Sequence, residues 1–302
     1  MGTPAFAANI LEGLVNAGFH IVAVVSQPDK EYGRKRILKP SEVKEKAIEL
    51  GIPVLTPDRI KEEYEDVLSC DPDLIITAAY GQFIPEAVLN YPKFRCINAH
   101  GSLLPKYRGG APIQRSIING DEETGITIQY MVKKMDQGEI LYQKAIPIEI
   151  EDTSTTMFAK LSDLALKMLL ELLPKLFAGD AAPMAQDEAQ ATYAYNLETE
   201  IEHIDFNDEV KKVYDHIRGL LDQPGAYFLH KGRKYKMEKV FFELCPDTEA
   251  SVFRGLEKDY LRIDCRNGFI KVYKIRPEGK NSMDAKAFHN GTGRTMAGER
   301  LE

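Results

Sequence analysis

A chain of 302 residues, 44% of them hydrophobic, is long enough for about two packed domains and too apolar to be disordered. Its 39 basic and 46 acidic residues leave a formal charge of −7, and no apolar run approaches the roughly 18–20 residues that cross a bilayer. Residues 1–9 lack the basic-then-apolar pattern of a secretory signal. The four cysteines at 70, 96, 245 and 265 stand singly and without zinc-ligand spacing, so a cytoplasmic protein without metal is expected.

In chain order, Thr3-Pro4 predicts a helix with Thr3 as N-cap and Pro4 at its first position, with Phe6, Ile10, Leu11 and Leu14 on one face. Residues 20–26 (HIVAVVS) read as a strand buried on both faces. A helix follows from Pro40-Ser41 to Gly51, then short strands at 53–55, 73–78 and 96–100. Short apolar strands separated by helices predict an α/β, doubly wound, Rossmann-like parallel sheet. Residues 124–130 and 139–148 alternate as strands around Asp136-Gln137-Gly138, and a long helix starts near Thr153. The expected division is a catalytic domain over 1–180, a linker over 181–203 and a second domain over 204–302. The last part holds one helix (208–220) and several short strands, the pattern of a small OB-like β-barrel.

The opening is unusual. Doubly wound folds normally enter through a strand that delivers the first helix, yet Met1 sits directly on Gly2-Thr3-Pro4. The first strand of the sheet is therefore expected to be absent from this chain, and the true start to lie upstream. Losing three or four buried apolar side chains would cost about 5–12 kcal/mol.

Charge is also uneven: residues 204–302 carry +3 and residues 1–203 carry −10. Basic residues bunch at Lys231, Arg233, Lys234, Lys236 and Lys239. Such a bunch suits a polyanionic partner, although solvated strand faces give the same pattern.

Residues 96–110 concentrate the chemistry. Alternation along a strand puts Asn98 and His100 on one face, at the carboxyl end where open α/β sheets bind their ligands. A neutral amide donor beside a titratable imidazole suits addition to a carbonyl, one holding the oxyanion and the other moving a proton. Asp136, in a tight turn, could orient His100, although Asp-x-Gly is also ordinary turn chemistry. Cys96 shares their face but lies deeper and reads as a buried thiol. The charged loop 27–36 reads either as solvated or as a contact for phosphates or base edges.

Together these residues resemble the methionyl-tRNA formyltransferase family, within the wider 10-formyltetrahydrofolate-dependent formyltransferases. The resemblance runs nearly end to end: Gly2-Thr3-Pro4, Gln27-Pro28-Asp29 with Gly33-Arg34, Asn98-x-His100-x-Ser102-Leu103-Leu104-Pro105, Thr124-Gly125-x-Thr127 and Ala191-Thr192-Tyr193-Ala194. It implies transfer of a formyl group from 10-formyltetrahydrofolate to the amine of initiator methionyl-tRNA. Catalysis would fall to Asn98, His100 and Asp136, and the folate pocket to Ser102, Leu103, Leu104 and Pro105. Contacts to tRNA would come from Arg34, Lys35, Arg36, Lys231, Arg233 and Lys234, in a monomer without membrane attachment. The Asn-His-Asp set is common to the wider group, so an aminosugar nucleotide is the alternative acceptor. Gln137 and Glu139 depart from the family's Asp-Thr-Gly-Asp turn, and Leu221-Asp222-Gln223-Pro224 departs from its Asn-Pro-Trp-Pro.

Overall fold

The structure is a computed structural model that describes residues 1–302 except 33–35, and Tyr32 by its backbone alone. The chain forms two compact units. The first comprises Met1–Pro112, Thr124–Ile146 and Phe158–Tyr195; the second comprises Ile113–Glu123, Pro147–Met157 and Asn196–Glu302.

In the first unit, helix α1 (Ala5–Asn16) buries Phe6, Ile10, Leu11 and Leu14, the face the spacing predicts. Its cap differs from expectation. Pro4 occupies the N-cap, and the Thr3 hydroxyl instead donates to the Tyr80 carbonyl at 3.0 Å, a tertiary bond that outcompetes the local one. Strand β1 (Val24–Val25) leads to a hairpin of β2 (Lys30–Tyr32) and β3 (Ile37–Lys39). Helix α2 (Glu42–Glu49) follows, capped by the Ser41 hydroxyl accepting from the Lys44 N–H. Next come β4 (Val54–Leu55), α3 (Glu65–Ser69), β5 (Ile75–Thr77), α4 (Glu86–Leu89) and β6 (Cys96–His100).

The pairs β1–β4 and β5–β6 are parallel, as apolar strands joined through helices should be. Beyond helix α5 (Pro112–Ile118), β7 (Glu123–Tyr130) runs antiparallel to β6 and neighbours β8 (Ile140–Pro147). Helix α6 (Ser154–Ala178) begins at Thr153, whose hydroxyl accepts from the Thr156 N–H while Thr156 Oγ1 accepts from the Thr153 N–H.

The predicted strand over 20–26 forms a ladder only at Val24–Val25. The reason lies beside it. Between residues 19–25 and β5 is a cavity of about 350 Å³, walled by Leu11, Leu14, Ile21, Val24, Ile75 and Ile76. Met1 lines this gap, and Met1 and Gly2 bond to both of its edges. The Gly2 N–H donates to the Val25 carbonyl, the Ala78 N–H donates to the Met1 carbonyl, and the Met1 amine donates to the Ile76 carbonyl at 2.6 Å. Gly2 and Ala78 thereby form one parallel bridge. Met1 and Gly2 thus run between Val25 and β5 in the direction of a parallel strand.

Residues 184–194, inside the segment expected to be a linker, fold against the first unit. Met184 pairs with Ile140, and Tyr193 with Arg108.

The second unit is a curled antiparallel sheet with helix α7 (Val210–Leu220) packed on it. Val210, Val213, Tyr214 and Ile217 recur at helical spacing and are buried with Phe228, Val240 and Val272. The strands are β9 (Tyr227–His230), β10 (Arg233–Leu244), β11 (Phe253–Glu257), β12 (Tyr260–Cys265) and β13 (Gly268–Pro277), in spatial order β11-β12-β13-β10-β9. A short β14 (Met283–Asp284) pairs with β13, and α8 (Ala285–Phe288) and α9 (Arg294–Met296) close the chain. A register shift at Lys239 interrupts the β10–β13 ladder, the local irregularity that lets a sheet curl.

Candidate active site

Strand β6 carries the predicted pair. Asn98 is half-buried and His100 is 5% exposed. The Thr77 hydroxyl on β5 donates to Asn98 Oδ1 at 2.8 Å. With Oδ1 turned to Thr77, the Nδ2 hydrogens are the ones offered to a ligand. His100 Nε2 stands 2.9 Å from the Tyr107 carbonyl, and Nδ1 stands 3.6 Å from Asp136 Oδ1. Both ring nitrogens therefore face oxygen acceptors. The structure brings Asn98, His100 and Asp136 into one place, although Asp136 is 36 residues further along the chain than His100.

Asp136 sits in the turn after β7 at φ 53°, a left-handed conformation that Asp tolerates. Its carboxylate is held from three sides. Gly109 N–H donates to Oδ2 at 2.9 Å, Gln129 Nε2 donates to Oδ1 at 3.0 Å, and His100 faces Oδ1. Gln186 fixes the turn's backbone by donating from Nε2 to the Asp136 and Gly138 carbonyls, both at 2.8 Å. Two glycines make this packing possible. A side chain on Gly138 would meet the Tyr130 carbonyl oxygen at 1.7 Å, and one on Gly109 the Ala194 carbonyl oxygen at 2.6 Å.

Behind them lies Arg108, 1% exposed. Its guanidinium donates to Gln186 Oε1 and, through two nitrogens, to the Glu188 carboxylate at 2.7 and 2.9 Å. That paired carboxylate raises the arginine pKa further above its ordinary value. Gln129, Gln186 and Arg108 were not singled out from the sequence. The available signal was a glutamine inside the apolar run of β7, which an alternating strand would place in the core unless it had a partner.

The other predicted residues fall as follows. Ser102 and Leu104 are buried, and Leu103 and Pro105 half-buried. The Ser102 hydroxyl donates to the Lys106 carbonyl at 2.7 Å, while the Thr127 hydroxyl donates to the Ser102 carbonyl at 2.6 Å. The Ser102 side chain thus knits its own loop. Cys96 is fully buried, and desolvation pushes its thiol up to about 12, which leaves no thiolate for nucleophilic work near neutrality.

Arg34 and Lys35 lie outside the described residues. Arg36, on the first unit, is exposed and pairs with Glu31 at 2.5 Å. Lys231, Arg233 and Lys234 lie at the β9–β10 hairpin of the second unit. Lys231 is paired with Glu299, and Lys234 lies over the Tyr227 ring at 4.2 Å.

Comparison with known proteins gives the chain's family. The formyl transferase family covers residues 1–173, and the formyl transferase C-terminal domain covers residues 196–293. The methionyl-tRNA formyltransferase of Latilactobacillus sakei is 44% identical over 301 residues, covering 98% of this chain and 95% of that protein. Its counterpart from a Geobacillus strain is 46% identical over 299 residues, covering 97% and 93%. Among solved structures, the sugar 3N-formyl transferase WlaRD superposes with a TM-score of 0.67 at 20% identity, covering 93% of this chain and 97% of that one. HypX from Aquifex aeolicus, in complex with tetrahydrofolic acid, gives 0.63 at 20% identity, covering 80% of this chain and 43% of that one. Those two likenesses concern the fold. With both family domains present and relatives above 40% identity along almost its whole length, the chain belongs to the formyl transferase family.

Proposed function

We propose that the protein transfers a formyl group from 10-formyltetrahydrofolate to the amino group of initiator methionyl-tRNA. The observation that carries the chemistry is the orientation of Asn98. With Oδ1 turned to Thr77, its Nδ2 is available as a donor beside His100. The relatives of 42–46% identity that span nearly the whole chain are named for the methionyl-tRNA reaction, which favours that acceptor.

In this reading the neutral methionyl amine adds to the formyl carbon, and Asn98 donates to the oxygen as it gains charge. His100, steered by Asp136 at Nδ1, would exchange its Tyr107 carbonyl partner for the substrate, accept at Nε2 the proton the amine sheds and return one to N10 as the carbon–N10 bond breaks. The products are formylmethionyl-tRNA and tetrahydrofolate. Neither metal nor redox chemistry enters the balance. Ser102, Leu103, Leu104 and Pro105 would frame the folate. The first unit would be a Rossmann-like catalytic domain over 1–180. Residues 181–203 would link it to an OB-like domain over 204–302 that grips the tRNA backbone through Lys231, Arg233 and Lys234, with Arg34, Lys35 and Arg36 at the acceptor stem. The parallel pairs β1–β4 and β5–β6, in separate sheets of the first unit, and the curled antiparallel sheet of the second unit support this description.

The test is direct. The protein is given 10-formyltetrahydrofolate with either charged initiator tRNA or an aminosugar nucleotide, and formyl transfer is followed. Formylated methionyl-tRNA is expected; transfer to the sugar alone would replace this reading with the aminosugar one.

A further inference from the structure

The motif Ala191-Thr192-Tyr193-Ala194 has no part in the chemistry above, yet it lies against it. Thr192 Oγ1 accepts from the Tyr107 N–H at 2.9 Å, and its carbonyl accepts from the Arg108 N–H at 2.9 Å. The Ala194 N–H donates to the Arg108 carbonyl, and its own carbonyl accepts from Ala111. The loop so clamped supplies the Tyr107 carbonyl to His100 and the Gly109 N–H to Asp136.

On this extended segment Tyr193 and Tyr195 point the same way, as residues two apart must. Their rings are stacked, 5.9 Å between centroids and 9° from parallel. Tyr193 is 53% exposed and Tyr195 72%. Elsewhere among the described aromatic contacts at least one ring is buried or half-buried, as packing requires; here both rings face solvent. The backbone at Tyr193 is bridged to Arg108, so the pair is anchored as well as exposed.

We infer that Tyr193 and Tyr195 form a stacking platform for the terminal nucleobases of the single-stranded acceptor end. The inference rests on the methionyl-tRNA reading. The amine that reacts belongs to a methionine whose carboxyl group is esterified to the ribose of the strand's last nucleotide. The base of that nucleotide must come to rest near Asn98 and His100. Tyr195 follows Ala194, whose carbonyl abuts Gly109, itself bonded to Asp136, so the platform adjoins the loop that holds the site. Every base presents a π-face, so stacking holds an unpaired end without hydrogen-bond readout.

The test uses methionyl-tRNA carrying 2-aminopurine as its terminal base. Binding to the wild type and to Tyr195→Phe quenches its fluorescence; binding to Tyr195→Ala leaves it bright. In formylation assays Tyr195→Ala loses about 5- to 100-fold in kcat/KM for tRNA, the range for removal of one base–aromatic stack, mostly through KM. Tyr195→Phe retains wild-type values, and the KM for folate is unchanged in both. Equal quenching by the alanine variant overturns the platform, and so does a loss confined to folate KM, which would assign the rings to the pterin. A wild type that quenches the label but does not formylate the tRNA sinks the functional reading and leaves the platform standing. A wild type that formylates it with Tyr195 indifferent sinks the platform alone.

Discussion

Gln129 Nε2 lies 3.0 Å from Asp136 Oδ1, the same carboxylate oxygen that faces His100 Nδ1. Gln129 is 1% exposed, and its own Oε1 is met by Gln186 Nε2 at 3.2 Å, so the amide can present only its donor to the carboxylate. The carboxylate that steers the histidine is thus itself steered, by a side chain in register with Asn98 on the neighbouring strand.

Replacing Gln129 by Leu removes one hydrogen bond to a charged group, worth about 1.5–3 kcal/mol, and leaves the volume nearly unchanged. Turnover should fall roughly 10- to 100-fold, with the loss in kcat rather than in KM for either substrate. Wild-type kcat in Gln129→Leu would mean that Gly109 alone suffices to place Asp136.

His100→Asn and Asp136→Asn remove the proton carrier and its orienting charge. Each should slow formyl transfer at least about 100-fold while tRNA affinity stays within error of wild type. Steady-state rates together with a filter-binding isotherm check both halves. Loss of affinity parallel to loss of rate would move these residues from chemistry to docking.

The Met1 amine is buried in the slot between residues 19–25 and β5, and burial pushes it from 8.0 down to about 6. Between pH 6 and 8 the unfolded chain therefore holds a proton that the folded one has released. Stability should rise as pH climbs from 6 to 8, by about 3 kcal/mol in order of magnitude, and level off below 6. Urea midpoints across this range measure it, and acetylating the amine should abolish the slope. A chain bearing five apolar, β-prone residues ahead of Met1 should be more stable still. Each side chain buried in the slot adds about 1.5–3 kcal/mol. An unchanged melting temperature would show that the slot does not accept a strand.

Lys231 and Arg233 stand at the exposed end of the β9–β10 hairpin. If they meet the phosphate backbone, charge reversal at both should weaken tRNA binding at low salt and flatten the dependence of log affinity on log salt. The slope should fall by about one for each phosphate no longer neutralised. An unaltered slope would return the hairpin to solvent.

The sequence by itself placed the strand over 96–100, because an apolar run bounded by turn residues reports burial, whereas the run over 20–26 is buried only from Val24 on. It put Asn98 and His100 on one face through the two-residue period of a strand. The resemblance carried Asp136 to them, and with it the family. Tertiary structure alone decided what holds that trio. Thr77 meets the Asn98 amide from 21 residues away, Gly109 and Gln129 grip Asp136, and Gln186 crosses 50 residues to tie its turn. It also turned part of an expected linker into a clamp on the catalytic loop, and shortened the strand over 20–26 to two paired residues. Local periodicity records which way a side chain points relative to its own element. A hydrogen bond between elements depends on where folding puts the second partner, and that position has no local signature.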